Sequence, residues 1–286
     1  MFLRNITADA LKVMLELEQS TYYRHDYLSD DDEDIGGKPI TVTADDRKLV
    51  VDWCFKLADQ FSFCRETVAI AMNLFDNFLS QYSELVTQAL RSKIKVRLIA
   101  ICALYISIKL NEREGVPISS KTFAELSCGR YTVHDIESTE LIVLTTLSWN
   151  LNGPTALQIA MHFFALADLT STFNAGTLFF LYDQVQHQTE LAVREYELSI
   201  HRSSSIAVAA IFNAIDRLTP DDRNKAFKLL APVVLQFDLA DIITINDARD
   251  RLIDMLERNS TFSPRSTSPI LRRRASISPS PLGRSA

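Results

Sequence analysis

Two stretches of the chain are apolar on every side of the helix they would form. Residues 98–108 and 206–215 contain no charged side chain, and they lie about one domain length apart. A helix that is hydrophobic all round has to be surrounded by other helices. The sequence therefore predicts two bundles, each built around one buried central helix.

Amphipathic patterns around each apolar stretch complete the two bundles. Seven glycines and nine prolines in 286 residues also favour helices over a turn-rich β fold. In the first unit, apolar residues at helical spacing predict helices from Ala44 onward, at 65–82, 92–111, from Ser120, and at 133–147. In the second unit they predict helices at 155–168, 175–198, 203–218, 220–231 and 246–258. A five-helix unit therefore occurs twice, and the fold class is all-α.

Changes in composition divide the chain into four parts. Residues 1–43 form an N-terminal extension with a short helical pattern at 7–18 and an acidic run at 30–34, and the two bundles occupy 44–152 and 153–258. Residues 259–286 are rich in Ser, Pro and Arg and are predicted to be disordered. This tail carries a charge of +5, so the net charge of −6 leaves −11 on the remainder. An acidic body argues against nucleic acid as the main partner.

The sequence contains no pattern typical of a catalytic, cofactor or metal site. Phosphate-binding glycine loops and the His and Ser motifs of hydrolases are absent. The four cysteines at 54, 64, 102 and 128 lack the spacing of a zinc site, and three of them fall in apolar helical patterns that predict buried, reduced thiols. The N-terminus lacks the apolar core of a signal peptide, and the longest apolar run has eleven residues, whereas a membrane span needs about 20. We therefore expect a binding protein without cofactor in a reducing compartment.

Five segments resemble helices of one known family. Residues 47–53 (RKLVVDW), 66–80 (ETVAIAMNLFDNFLS), 98–112 (LIAICALYISIKLNE) and 138–151 (STELIVLTTLSWNL) are similar to the first, second, third and fifth helices of the cyclin box. Residues 203–211 (SSSIAVAAI) resemble the third helix of a cyclin's second box. The chain is identified as a member of the cyclin family, which implies two tandem cyclin-type bundles. No clear Arg-x-x-Leu destruction signal lies in the N-terminal extension, which favours a G1/D-like or environmentally responsive type.

The resemblance assigns roles to particular residues. It implies that Arg47 and Asp76 form a buried ion pair between the first two helices and that Leu98 belongs to the core. It implies that Lys109 and Glu140 hydrogen-bond the backbone of a partner kinase beside its regulatory helix. The remaining kinase-facing positions that it implies are Leu110, Leu141, Leu144 and Trp149.

The function that follows is that of a regulatory subunit. The chain is expected to bind and activate a cyclin-dependent protein kinase in cell-cycle control, without being an enzyme itself. One alternative is a transcriptional cyclin, which differs in its kinase. Another is a cyclin-fold transcription scaffold that binds DNA and proteins, although such scaffolds usually have a basic face and often a zinc ribbon.

Many cell-cycle cyclins also dock Arg-x-Leu segments of substrates or inhibitors on the first-helix motif. Val50 and Trp53 keep the apolar character of that surface in this sequence. Asp46 replaces the family's methionine, and Lys56 replaces an acid one turn after the tryptophan. Lys56 would repel the arginine of such a ligand, so the sequence argues against this kind of docking.

The C-terminal tail carries candidate phosphorylation sites. Ser263, Ser268, Ser278 and Ser280 each precede a proline, which proline-directed kinases prefer, and Ser276 follows three arginines and an alanine. Phosphates at the serine-proline sites would overturn the positive charge of the tail. The arginine cluster also resembles a nuclear localisation signal, so we expect the protein in both nucleus and cytoplasm.

Overall fold

The computed structural model describes residues 2–29, 40–81, 83–112, 118–237, 239 and 241–260. Every regular element in those ranges is a helix, which confirms the all-α prediction. None of the described helices is long and apolar enough to cross a membrane. The acidic run at 30–34 lies outside the described residues, as do the five tail serines and nearly all of the predicted disordered segment 259–286.

In the part of the chain that the structure describes, the first bundle contains six helices. They are α2 (Ala44–Phe61), α3 (Arg65–Leu79), α4 (Glu84–Leu90), α5 (Lys93–Asn111), α6 (Ser120–Leu126) and α7 (Val133–Thr146), whereas α1 (Phe2–Gln19) precedes them. The sequence pattern predicts five of the six and misses α4. A helix of seven residues is too short to show apolar periodicity, and α4 instead begins where the Ser83 hydroxyl accepts a hydrogen bond from the Val86 N–H at 3.3 Å.

Reciprocal side-chain caps fix where α2 and α7 begin. Thr43 Oγ1 accepts from the Asp46 N–H at 3.3 Å, and the Asp46 carboxylate accepts from the Thr43 N–H at 3.2 Å. Thr132 and Asp135 repeat this arrangement at 3.1 and 2.8 Å. Each pair satisfies two backbone donors that a helix terminus leaves free. The caps therefore set the register of the two helices that carry Arg47 and Glu140.

Helix α5 is the central helix of the first bundle, as its apolar character predicts. Its middle is buried along a continuous stretch from Ile99 to Leu104, and it packs chiefly against α3 and α7. The Ser107 hydroxyl is fully buried and donates to the Thr67 carbonyl of α3 at 2.7 Å. The exposed residues of α5 are confined to its two ends, at 93–95 and 109–111.

The second bundle repeats the plan around α11. Its helices are α8 (Ala156–Ala167), α9 (Ala175–Arg194), α10 (Tyr196–Ser199), α11 (Ser203–Asp216), α12 (Pro220–Gln236) and α13 (Ile242–Ser260). The predicted single helix at 175–198 is broken at Glu195, which has extended backbone (φ −91°, ψ 118°). Helix α12 continues past Pro232 because its last turns bury Val233 and Val234. These differences in helix bounds leave the predicted duplication intact.

Helix α1 packs on the second bundle although it precedes the first in sequence. Leu11 and Leu15 join the core around α11, and α1 lies against α8. Glu18 is buried and accepts hydrogen bonds from the Ser204 N–H at 2.9 Å and from the Ser204 hydroxyl. It therefore caps the start of α11, which has no side-chain cap of its own. The chain then crosses to the first bundle between α1 and α2.

Candidate functional site

Arg47 and Asp76 form a two-point ion pair between α2 and α3. Arg47 Nε donates to Asp76 Oδ1 at 2.9 Å and Nη2 donates to Oδ2 at 2.7 Å, and each residue is only 1% exposed. Burial alone would lower the pKa of Arg47, but the charge of Asp76 outweighs this and raises it. Arg47 therefore stays charged in the interior, where it forms a buried ion pair with Asp76.

The ion pair also joins the two bundles. Arg47 Nη1 donates to the Val193 carbonyl near the end of α9 at 2.8 Å. Arg24 lies 3.7 Å from Asp76 Oδ2 and donates to the Ser199 carbonyl at 2.7 Å, and the Tyr27 hydroxyl donates to Asp76 Oδ1 at 2.8 Å. Sequence reasoning missed Arg24 and Tyr27, because they lie in a segment without periodicity. The Asp76 carboxylate is thus shared by two arginines and a tyrosine.

A second set of charges crosses the same junction. Arg65 of α3 donates to Glu190 of α9 at 2.8 Å, and Arg194 donates to Asp52 of α2 at 2.9 Å. Both guanidinium groups lie over the buried Phe55 ring, at 4.5 and 4.3 Å from its centroid. Charged hydrogen bonds and cation–π contacts therefore hold α9 against the first bundle.

Lys109, in the last turn of α5, forms an ion pair with Glu140 of α7. The Lys109 ammonium donates to Glu140 Oε1 and lies 4.3 Å from the centroid of the Tyr105 ring. The Lys109 side chain is half-exposed, whereas Glu140 is mostly covered. Lysine in the last turn of a helix is favoured by the helix dipole. The pair therefore presents a fixed donor and acceptor at the surface.

Buried contacts between α5 and α7 support this pair from below. The Cys102 thiol is fully buried and donates to the Ile136 carbonyl of α7 at 3.4 Å. Burial raises the pKa of Cys102 to about 12, so the thiol stays neutral. Tyr105 packs edge-to-face on Phe123, with ring centroids 5.5 Å apart. The site therefore rests on side chains that pack in the core of the first bundle.

Exposed apolar side chains lie next to Lys109 and Glu140 along α5 and α7. Leu110 is 53% exposed, Leu141 58% and Trp149 63%, while Leu144 is half-buried against the first core. Sequence reasoning missed Ile142, which is also exposed and follows Leu141 on α7. We call Leu110, Leu141, Ile142 and Trp149 the apolar patch. Large exposed apolar side chains that cluster in this way mark an interaction surface.

The backbone that carries Trp149 is in an unusual conformation. Ser148 and Trp149 both have left-handed φ angles, at 49° and 61°. Residues other than glycine seldom adopt this region, at a cost of roughly 1–3 kcal/mol each. The Trp149 N–H donates to the Leu144 carbonyl at 3.0 Å, which ends α7 and turns the indole outward. The chain thus holds an aromatic side chain in water at an energetic cost.

The other predicted residues of the first bundle differ in how deeply they are buried. Leu98 is half-buried and packs against the core, Val50 is fully inside it, and Trp53 is half-buried. Leu49, which neighbours Val50 in the sequence, is instead 62% exposed. It lies one residue, or about 100°, away from Val50 around the helix.

Asp46 and Lys56, the two departures from the family pattern, differ in their surroundings. Asp46 is bound by Lys93 of α5, with Nζ and Oδ2 2.7 Å apart. Burial alone would raise the pKa of Asp46, but hydrogen bonds from Lys93 and Thr43 lower it. Lys56 is exposed. The negative charge at 46 is therefore neutralised within the chain, and the positive charge at 56 faces solvent.

The four cysteines are free, and two of them are buried. Cys54 and Cys102 lie in the core, whereas Cys64 and Cys128 are exposed, so the prediction of a third buried thiol was wrong. Cys64 stands one residue before α3 begins, outside its apolar face. Within the described ranges no three His, Cys, Asp or Glu side chains are grouped to hold a metal ion.

Comparison with known proteins identifies the family. The family model described as "Cyclin, N-terminal domain" matches residues 9–152. G2/mitotic-specific cyclin-2 of Medicago sativa is 29% identical over 168 residues, which cover 59% of this chain and 46% of the relative. G1/S-specific cyclin-E1 of Gallus gallus is 32% identical over 112 residues, which cover 39% and 26%. The chain matches less than half the length of these relatives, and their names do not select a subclass.

Solved structures have the same fold. A viral cyclin from herpesvirus saimiri has a TM-score of 0.56 at 15% identity, covering 75% of this chain and 87% of its own. A chain of the Chaetomium thermophilum CAK complex has a TM-score of 0.51 at 16% identity, covering 90% and 75%. At these identities the similarity shows the fold alone. Since the family model spans half of the sequence, the chain belongs to the cyclin family.

Proposed function

We propose that this chain binds a cyclin-dependent protein kinase and activates it in cell-cycle control. The observation that carries the proposal is the Lys109–Glu140 ion pair at the edge of the exposed apolar patch. An isolated surface ion pair contributes little to stability, about 0–1 kcal/mol. The exposed leucines and tryptophan contribute nothing to the core. Their arrangement is therefore better explained by a partner than by folding.

The apolar patch and the Lys109–Glu140 ion pair would make different contributions to kinase binding. The apolar patch would supply most of the binding free energy, since large aromatic and aliphatic side chains at the centre of an interface dominate affinity. Lys109 and Glu140 would fix orientation, because a donor and an acceptor held side by side can bond a partner's backbone. Cys102 and Tyr105 keep them in place before binding.

Activation follows if the surface binds one kinase conformation better than another. A protein kinase is active only when a lysine–glutamate pair and a metal-binding loop are aligned, and its regulatory helix controls that alignment. A rigid partner surface that fits the aligned state shifts the kinase toward it. The described residues of this chain supply shape and hydrogen bonds to that end, and the reacting groups would belong to the kinase.

Variants of the ion pair test the proposal. We expect Lys109→Ala and Glu140→Ala, alone and together, to abolish capture of the kinase from a purified mixture. The same variants should abolish activation of the kinase, measured as phosphorylation of a peptide. Lys225→Ala and Asp221→Ala are the matched control, since these residues form an exposed ion pair on α12 at 2.8 Å. Circular dichroism would show that all variants remain folded. A double variant at 109 and 140 with unchanged capture and activation would overturn the proposal.

Other aspects of the function remain predictions. The kinase and its substrates or inhibitors can be identified by affinity purification and mass spectrometry. A DNA-binding assay over a range of salt concentrations would separate the kinase regulator from a transcription scaffold, because phosphate contacts weaken steeply with salt. Imaging of a fluorescent fusion would test residence in nucleus and cytoplasm. Phosphate mapping after incubation with the active complex would test the tail serines.

A further inference from the structure

Helix α13 buries one side and leaves the opposite side open to solvent. Ala248 and Leu252 are fully buried in the core around α11, against which the helix packs. Exposed side chains recur every three or four residues on the opposite side, as the helical repeat requires. They are Ile243, Asn246, Asp250, Ile253, Asp254 and Glu257, which we call the outer face of α13. At 100° per residue these positions lie within about 100° of the helix circumference.

Large apolar side chains occur on this outer face. Ile243 is 83% exposed and Ile253 is 39% exposed. Ile242, which stands beside the face at the start of the helix, is 66% exposed. One exposed isoleucine is ordinary, but three along one side of a single helix offer apolar area that a partner can bury.

The charged side chains of the outer face are acidic. Asp250, Asp254 and Glu257 all belong to it. Arg249 and Arg251, on the same helix, form ion pairs with acids outside this face. Asp254 has an arginine 3.9 Å away on the next turn, and Asp250 has no ion pair within the part of the chain that the structure describes. The outer face therefore combines apolar side chains with negative charge.

A segment of the opposite character follows α13 in the sequence. Ile270 and Leu271 form an apolar pair, and three consecutive arginines follow directly at 272–274. No acid occurs anywhere in residues 259–286. A guanidinium group forms strong paired hydrogen bonds with a carboxylate. The segment thus offers two aliphatic side chains and three cations to a face that holds isoleucines and three carboxylates.

The chain between α13 and this segment is long enough to fold back. Helix α13 ends at Ser260. Ile253 lies about 10 Å back along the helix axis from Ser260, and Ile243 about 26 Å. Ile270 is ten residues beyond Ser260, and an extended chain of that length spans up to about 33–36 Å. The apolar pair can therefore reach either isoleucine of the outer face.

We propose that residues 270–274 dock on the outer face of α13 in the same molecule. The apolar pair would cover Ile243 and Ile253, and the arginines would bind Asp250, Asp254 and Glu257. Because the segment is tethered, its effective concentration at this face is in the millimolar range, so a small contact area suffices. The outer face of a second copy would instead bring like charges together. This docking does not depend on kinase binding.

Two candidate phosphorylation sites flank the docking segment. Ser268 stands two residues before Ile270, and Ser276 stands two residues after Arg274. A phosphate on either serine adds about −1.5 to −2 charge next to the carboxylates of the outer face. Phosphorylation would therefore release the segment. It would also uncover the arginine cluster that resembles a nuclear localisation signal.

Protection of the arginines from proteolysis tests the docking in the full chain. An arginine-specific protease can cleave after residues 272–274 and also after Arg284, which lies outside the docking segment. Mass spectrometry would follow the rate at each site in the full chain and in a free peptide of residues 261–286. We expect cleavage at 272–274 to be roughly tenfold slower in the full chain than in the peptide. Arg284 should be cleaved equally fast in both, and the protection should fall as salt is added.

Variants assign the protection to the outer face. Asp250→Lys combined with Glu257→Lys should remove nearly all of it, and Ile243→Ser should reduce it. The matched control is Glu84→Lys combined with Glu125→Lys, which makes the same change in net charge at exposed acids of the first bundle. Circular dichroism would show that all variants remain folded. No protection in the unaltered chain, or equal losses from the control and from the variant of the outer face, would overturn the proposal.

Two further measurements test the occupant and its release. Protection that rises with protein concentration would mean that the segment binds a second copy, and it would overturn docking within one molecule. Ser268→Glu combined with Ser276→Glu should lower the protection severalfold, measured against a peptide with the same substitutions. Ser268→Ala combined with Ser276→Ala should preserve the protection. Full protection in the glutamate variant would overturn release by phosphorylation.

Discussion

Two of the ion pairs in the first bundle have completely different surroundings. Arg47 and Asp76 are each 1% exposed. Tyr27 donates to Asp76, Arg47 also donates to the Val193 carbonyl, and Arg24 lies 3.7 Å from Asp76 Oδ2. Lys109 and Glu140 lie at the surface among exposed apolar side chains. The first pair is satisfied entirely within the chain, whereas the Lys109 ammonium retains donors for a partner.

This difference in burial indicates a different role for each ion pair. A buried ion pair has already lost its water, so removing one partner leaves an uncompensated charge in the interior. An exposed ion pair remains hydrated and costs the fold little when it is removed. We therefore assign Arg47 and Asp76 to the joining of the two bundles, and we propose Lys109 and Glu140 for recognition.

The largest expected effect is on the buried pair. Asp76→Ala should lower the free energy of unfolding by about 3–5 kcal/mol, because it leaves both Arg47 and Arg24 without their carboxylate. The Tyr27 hydroxyl loses an acceptor in the same step. Urea denaturation followed by far-ultraviolet circular dichroism would measure the change.

A matched control separates charge from volume. Thr67→Ala removes a similarly buried polar side chain of α3 that lies away from the junction. Its cost should be far smaller, about 1 kcal/mol, since the lost hydrogen bond to Glu112 is a single one. If Asp76→Ala costs no more than Thr67→Ala, the junction does not depend on this carboxylate.

The second expected effect is on binding and leaves folding intact. Trp149→Ala should weaken kinase binding by about 2 kcal/mol or more, which is roughly thirtyfold, because a large aromatic side chain that an interface buries often behaves as a hot spot. Isothermal titration with the purified kinase would measure it. Phe179, an exposed aromatic residue of the second bundle, provides the control, and Phe179→Ala should leave the affinity unchanged. Equal losses from both variants would remove Trp149 from the interface.

The structure shows why some of these features were predictable from sequence. The central helices α5 and α11 could be found because a segment that is apolar on all sides has one structural solution. Asp76, the partner of Arg47 on α3, could be found from the family resemblance. Arg24 and Tyr27 could not, because their contacts span 52 and 49 residues to Asp76 and arise only when the bundles dock.

Exposure was harder to predict than helix position. Leu49 and Val50 are adjacent and chemically alike, yet one faces solvent and the other lies in the core. Their difference depends on how α2 is rotated against α3 and α5, which local periodicity fixes only to within about one residue, or 100°. The unpredicted break at Glu195 has a similar origin, since α9 ends where its carbonyl groups meet Arg47 of the other bundle.

The smallest expected effect sharpens the comparison of the two pairs. Lys109→Ala should change the free energy of unfolding by less than about 1 kcal/mol, although the same variant is expected to abolish kinase capture. The half-exposed position of Lys109 keeps the effect small, because water already solvates its ammonium group. Urea denaturation beside Asp76→Ala, in the same buffer, gives the ratio of the two effects. A loss of about 3 kcal/mol or more at Lys109, the range of a buried pair, would mean that the surface pair holds α5 to α7, and its exposure would then no longer point to a partner.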